Sequence, residues 1–257
     1  MRIAIVSTPE EIARLAADRI EEVYRSKPDF VLGLATGSSP ICLYDELVRR
    51  YEVGKISFAK VRSYNLDEYV GLPKDHFEGY MNFIRRHLVG RVDMPEGAAH
   101  GPDGWCEDLD EGARLYDEAI RAEGGIDIQV LGIGSDGHIG FNEPGGLLTS
   151  RTHVGVLTEQ TRRDNARFFD GDINAVPTHC VTQGIGTIMD SKAHVFIATG
   201  KGKARAVKEM IEGGVSQRWP ATALQYHDDV LVLLDEDAAS ELELKDFYKE
   251  VWEKEHA

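Results

Sequence analysis

Cysteine is scarce in this chain. Cys42, Cys106 and Cys180 are the only three in 257 residues, and no two of them stand in a CxxC pair. An odd, widely spaced set argues against a disulfide framework and against a thiolate zinc site; it reads as free thiols in a reducing cytosol. Long apolar runs are missing as well. Nothing approaches the roughly 20 consecutive apolar residues that cross a bilayer, and the opening MRIAIVS reads as a first strand, not a signal peptide. The expectation is a cytoplasmic protein with no membrane partner. Positive charge is in deficit: 29 Lys and Arg against 44 Asp and Glu leave a formal net charge of -15. Such a surface repels nucleic-acid phosphates, so no nucleic-acid partner is expected. An anionic ligand would then need local cations. That is feasible, because charges beyond about 8 Å are largely screened at physiological salt.

What is present is ordinary globular material: 42% hydrophobic and 28% charged residues, with no repeat and no low-complexity segment. A chain of this length buries roughly 70–75% of its unfolded surface and needs no staples. Strand-like and helix-like stretches alternate. Strands are predicted at 2–6, 30–35, 61–69, 126–134, 153–158, 193–199 and 229–235. Helices are predicted at about 9–25, 40–52, 77–89, 106–123, 159–169 and after 203, and the C-terminal tail reads as an amphipathic helix. The fold class is therefore α/β: a doubly wound, mostly parallel sheet with helices on both faces, Rossmann-like in architecture. Residues 1–257 read as one domain. Segment 153–190, short of strand signals after 159, suits a helical lid over a site.

Three segments carry chemistry. The most informative is DGHIGFNEP, which places Asp136, His138 and Glu143 within eight positions behind the apolar run IDIQVLGIGS. Open α/β sheets put their sites where such strands end. An imidazole titrates near neutrality, and flanking carboxylates fix its tautomer and stabilise the imidazolium. In LATGSSP, Gly37, Ser38 and Ser39 precede Pro40 at a helix start. The turn fits either an anion site of backbone N–H groups or a helix cap from a serine. It is neither GxxxxGK[ST] nor GxGxxG, so no nucleotide is indicated. In NLDEYVGLP, Asp67 and Glu68 are adjacent at a strand end and face opposite ways if extended. One could serve a cleft as a general base, or the pair could simply decorate a turn.

Together with SRT and TRRDNARFFD over 150–170, these segments resemble the glucosamine-6-phosphate deaminase/isomerase family in order and spacing, across nearly the whole chain. The resemblance implies a hydrolase and isomerase of amino-sugar catabolism. It would convert glucosamine 6-phosphate and water to fructose 6-phosphate and ammonia, with no cofactor and no metal. His138 would open the pyranose ring, oriented by Asp136 and Glu143. Asp67 would shuttle a proton between the amino-bearing and anomeric carbons. Gly37, Ser38 and Ser39 would cradle the phosphate, with Arg167 and Lys203 as the local cations that the charge balance demands. Lys201 stands two residues from Lys203 and could take its place. Tyr69 and Tyr80 would pack either near the pocket or in the core. His153, His179, His194 and His227 lack a comparable setting and read as packing or surface residues.

The chain departs from the family at one place. Some members carry an allosteric site for an N-acetylated sugar phosphate, with hydroxyl residues just past FNEP and basic residues just past SRT. Here those positions hold Gly146 and Leu147, then His153 and Gly155 with Val156 beside them. Loss of hydroxyls and cations predicts hyperbolic kinetics. Three rival readings remain: the same reaction on galactosamine 6-phosphate, a 6-phosphogluconolactonase-like hydrolase, and a non-catalytic sugar-phosphate sensor. A lactonase has no use for a carbon-acid base. A sensor should carry a DNA-binding segment, for which there is no room before the first strand. Oligomeric state stays open, a homo-oligomer being one option.

Overall fold

A computed structural model describes residues 1–256. In chain order the strands are β1 (Arg2–Val6), β2 (Val31–Leu34), β3 (Arg62–Asn65), β4 (Asp67–Tyr69), β5 (Ala99–His100), β6 (Ile128–Leu131), β7 (His153–Val156), β8 (His179–Thr182), β9 (His194–Ala198) and β10 (Val230–Asp235). The helices are α1 (Pro9–Ser26), α2 (Ile41–Glu52), α3 (Tyr80–His87), α4 (Leu109–Ala122), α5 (Glu159–Asn165), α6 (Ile185–Met189), α7 (Ala204–Glu212) and α8 (Lys245–Glu255). Seven strands form one sheet in the order β1-β10-β9-β6-β2-β3-β5. Every pair in it is parallel. The doubly wound α/β architecture expected from the alternation is the one observed.

Both faces of the sheet are covered, which is why its central strands read as unbroken apolar runs. Along β2, Leu32 and Leu34 join the large core that holds Ile12, Ala16 and Ile20 of α1 with Leu43 and Leu47 of α2. Val31, pointing the other way, meets Tyr64, Tyr116, Ile120 and Ile126. Helix α1 begins cleanly: the Thr8 side chain accepts from Glu11 N at 3.2 Å, and Pro9 sits at the first helical position. A buried ion pair fastens α1 to α2, with Arg50 Nη1 2.7 Å from Glu21 Oε2. Arg50 also reaches Asp18 and Glu46.

A second sheet decides where the site lies. Its order is β4-β8-β7, antiparallel throughout. The stretch 61–69, expected as one strand running into a loop, is two strands in two sheets. The chain leaves the main sheet at Leu66, whose N–H still binds Leu34 O at 2.9 Å, and it enters the small one at Asp67, opposite Thr182. Strands β5 and β8 and helix α6 were not expected. Within 153–190, accordingly, the helical parts are α5, the 3-10 turn Ala166–Phe168 and α6, and β7 and β8 bracket the first two as sheet. The three cysteines are free, Cys180 buried and the other two half-buried. Among the described residues no helix is long and apolar enough to cross a membrane.

Candidate active site

Strands β2 and β6 are neighbours at the middle of the main sheet. From β2 the order runs outward to β3 and β5, and from β6 to β9 and β10. This is the point where the winding reverses, and the crevice beyond the C-terminal ends of two such strands is where open α/β sheets bind ligands. β2 feeds the Gly37–Ser39 turn, and β6 feeds the loop that carries His138. One cleft is lined by Thr36, Gly37, Ser38, Ser39, Asp67, His138, Arg167 and Lys203 together.

The turn after β2 opens onto this cleft. Gly37 takes φ +97°, a left-handed conformation that residues with a Cβ rarely adopt. The cap of α2 is Pro40, and no side chain makes a capping hydrogen bond there. Neither Ser38 nor Ser39 is consumed as a helix cap, so of the two readings of LATGSSP the cap does not hold. Across the cleft stand Arg167, on the 3-10 turn after α5, and Lys203, at the end of the turn Lys201–Lys203 that leads into α7. Burial pushes the Lys203 ammonium below its ordinary range; the Arg167 charge acts the same way, while Asp164 and Asp136 oppose both. Two cations that feel each other beside a serine turn are a setting that an anion relieves. Lys201 is exposed and outside the lining.

His138 lies flat against the backbone that precedes it. A Cβ on Gly134 would sit 2.3 Å from His138 Cε1, so only glycine leaves room for the ring. Both carboxylates of DGHIGFNEP approach the same nitrogen: Asp136 Oδ1 is 2.7 Å from Nδ1, and Glu143 Oε2 is 3.8 Å from it. Asp136 meets the ring off its N–H axis. An acceptor at Nδ1 calls for the Nδ1–H tautomer and leaves Nε2 for exchange with a ligand. Burial works to raise the Asp136 carboxyl, but the His138 ring beside it and a hydrogen bond from His138 N at 3.2 Å outweigh this and hold it well below the usual carboxylate range. Glu143 moves the other way: burial raises it, and a hydrogen bond from Thr161 only partly offsets the rise. Among the described residues these three are also the one group whose donor atoms, all within 4.8 Å, could close on a metal ion.

Asp67 and Glu68 do face opposite ways. Glu68 turns inward, and its carboxylate accepts from Tyr69 N, Tyr80 N and Met81 N at 2.9, 3.0 and 3.0 Å. It thereby ties the start of α3 to β4. Asp67 turns into the cleft, 6% exposed. Its carboxyl is pushed up to about 8, first by burial and second by the Glu68 charge. Gly140, two residues past His138, closes the distance between the two loops: a Cβ there would lie 3.6 Å from Asp67 Oδ2.

The structure thus gathers Asp67, His138, Gly37, Ser38, Ser39, Arg167 and Lys203 on one cleft, with Asp136 and Glu143 behind the imidazole. Tyr80 lines the cleft, and its hydroxyl donates to Tyr69 Oη at 3.1 Å. Tyr69 itself is core. Sequence reasoning missed Thr161 and Asn165, which face the same space from α5. The spacing Thr158-x-x-Thr161 at a helix start was the available signal. His194 is fully buried and meets His227 edge-on at 4.2 Å between ring centroids, a packing role. Gly146, Leu147, His153, Gly155 and Val156 share a second depression, on the far side of Glu143, whose lining holds no Lys or Arg.

Comparison with known proteins gives a consistent result. A sequence model of the family described as glucosamine-6-phosphate isomerases/6-phosphogluconolactonase matches residues 7–233. Glucosamine-6-phosphate deaminase of Beutenbergia cavernae is 55% identical over 252 residues, covering 98% of this chain and 97% of the relative. The enzyme of the same name from Mycolicibacterium smegmatis matches equally, at 55%. A solved monomeric glucosamine-6-phosphate deaminase superposes with a TM-score of 0.91 at 42% identity, over 94% of this chain and 100% of that one. A 6-phosphogluconolactonase from Trypanosoma cruzi, at a TM-score of 0.73 and 22% identity, shares the fold.

Proposed function

The chain belongs to the glucosamine-6-phosphate isomerase/6-phosphogluconolactonase family, and from that premise we propose that it converts glucosamine 6-phosphate and water to fructose 6-phosphate and ammonia. One observation carries the reading. A buried carboxyl pushed up to about 8 and an imidazole backed by two carboxylates share a single cleft with a serine turn and two cations.

The chemistry follows from that arrangement. The phosphate sits against Gly37, Ser38 and Ser39, with Arg167 and Lys203 closing on it. His138 Nε2 moves a proton onto the ring oxygen and opens the pyranose. Asp136 and Glu143 hold the charge that the imidazole gains. Asp67 then takes the proton from the amino-bearing carbon and returns it to the anomeric carbon. A carbon acid demands a base stronger than a solvated aspartate, and burial supplies one. Water adds to the resulting iminium carbon and ammonia leaves, so the aldose amine ends as a ketose. Anchoring by phosphate supplies further rate, because the opened sugar is held in reach of both groups. The whole chain works as one catalytic domain in the cytoplasm, on a small amino-sugar phosphate.

The test is ammonia and fructose 6-phosphate release from glucosamine 6-phosphate, run beside galactosamine 6-phosphate and 6-phosphogluconolactone, with and without EDTA. Turnover of glucosamine 6-phosphate that EDTA leaves intact is expected. Hydrolysis of the lactone without ammonia release from either amino sugar would overturn the reading.

A further inference from the structure

Glu143 is held from outside its own loop. Its Oε1 accepts from Thr161 Oγ1 at 2.6 Å and from Thr158 N and Thr158 Oγ1 at 3.3 Å each. Its Oε2 is left facing His138 Nδ1 at 3.8 Å, buried and with no hydrogen-bond partner. Thr161 is 4% exposed. The same two threonines start α5: Thr158 Oγ1 accepts from Thr161 N at 3.2 Å and caps the helix. Helix α5 then runs straight into the turn that bears Arg167. It is pinned along its length. Arg162 donates to Ile173 O and Val176 O at 2.8 and 3.1 Å, and Asn165 Nδ2 donates to Tyr69 Oη at 3.0 Å. A short, fixed rod thus joins a phosphate-contacting cation at one end to a proton-transfer group at the other.

We propose that Thr161 is a positioning residue whose hydroxyl keeps Glu143 Oε2 turned toward His138 and so links the Arg167 segment to the acid–base group. The proposal rests on the deaminase reading of the site. A hydrogen bond to a carboxylate favours its charged form. Thr161 therefore holds down a carboxyl that burial would otherwise raise further. The titratable groups facing Glu143 are His138 and Asp136 from its own loop and Cys180 from β8, whose thiol its charge raises in turn. From α5 come the Thr158 and Thr161 hydroxyls and one backbone N–H.

Two variants separate the hydroxyl from the packing. Thr161→Val keeps the shape and removes the donor; Thr161→Ser keeps the donor and removes a methyl. With glucosamine 6-phosphate, Thr161→Val should lower kcat by about tenfold or more and leave KM nearly unchanged, since hydrogen bonds to charged groups are worth at least that factor. The acid limb of the kcat profile should move up by about one pH unit, because Glu143 loses a bond that favoured its ionised form. Thr161→Ser should restore both. Carbon-13 NMR titration of the Glu143 carboxyl, assigned with Glu143→Gln, reads the same contact without turnover. A wild-type enzyme that releases no ammonia sinks the deaminase reading alone. A Glu143 titration unmoved by Thr161→Val, or a Thr161→Ser variant as impaired as Thr161→Val, overturns the positioning role.

Discussion

Asp67→Asn should make the protein more stable while abolishing its chemistry. The buried carboxyl is displaced from an ordinary 3.8 to about 8. Between those values the folded protein keeps a proton that the unfolded chain has released. Stability contributed at this site is therefore complete below about pH 4, falls as pH rises, and levels off above about pH 8. At about 1.4 kcal/mol per unit, the loss at pH 7 has a ceiling of about 4 kcal/mol. Entering water and local relaxation reduce such penalties, so about 2 kcal/mol is the expected gain from a neutral isostere at pH 7. For a domain of this size that raises Tm by about 4–8 °C. The same substitution removes the base from the cleft and should lower kcat by about 10²–10⁴, with phosphosugar binding retained. Thermal melts of wild type and Asp67→Asn at pH 4 and pH 7.5, beside ammonia release, make the check. A stability gain of equal size at both pH values, or turnover like wild type, refutes the reasoning.

Other consequences are equally measurable. Lys203→Met should raise KM for glucosamine 6-phosphate by about 10–100-fold, as loss of a charged phosphate contact predicts. Lys201→Met should leave steady-state kinetics nearly unchanged, since Lys201 lies outside the cleft lining. Arg50→Leu removes the guanidinium 2.7 Å from the buried Glu21 carboxylate and leaves it the exposed Arg25 as partner. It should cost about 1.5–3 kcal/mol in urea unfolding, part of it recovered when Glu21→Leu is added, since Asp18 and Glu46 lose the same partner. Rate curves should be hyperbolic and unresponsive to N-acetylglucosamine 6-phosphate, because the depression behind Glu143 offers no Lys or Arg to an anionic activator. A sigmoidal curve that straightens on adding that compound would refute it.

Much of this was readable in advance because several layers of the sequence agreed. The apolar runs of β2, β6, β9 and β10 are short, β-branched and flanked by helical periods, so length and neighbours located them. DGHIGFNEP placed its carboxylates around the imidazole, and the split of Asp67 from Glu68 followed from strand alternation. Of the small sheet, only β7 was legible, inside the strand expected at 153–158. Asp67-Glu68-Tyr69 has little strand propensity; it is a strand because three N–H groups meet the Glu68 carboxylate and β8 lies opposite. His179–Thr182 is too short and mixed to announce itself, and Ala99–His100 is only two residues long. Thr161 was hidden for a different reason. Its partner is 18 positions away, and a threonine in a helix's first turn is commonplace.

The exit of the chain from the large sheet at Leu66 has a consequence for heating experiments. Asp67 belongs to the three-stranded sheet and His138 to a loop of the seven-stranded one, so on the proposed mechanism turnover reports how the two are docked. Inactivation should then run ahead of the loss of helical circular dichroism, with the active enzyme vanishing while most of its secondary structure still stands.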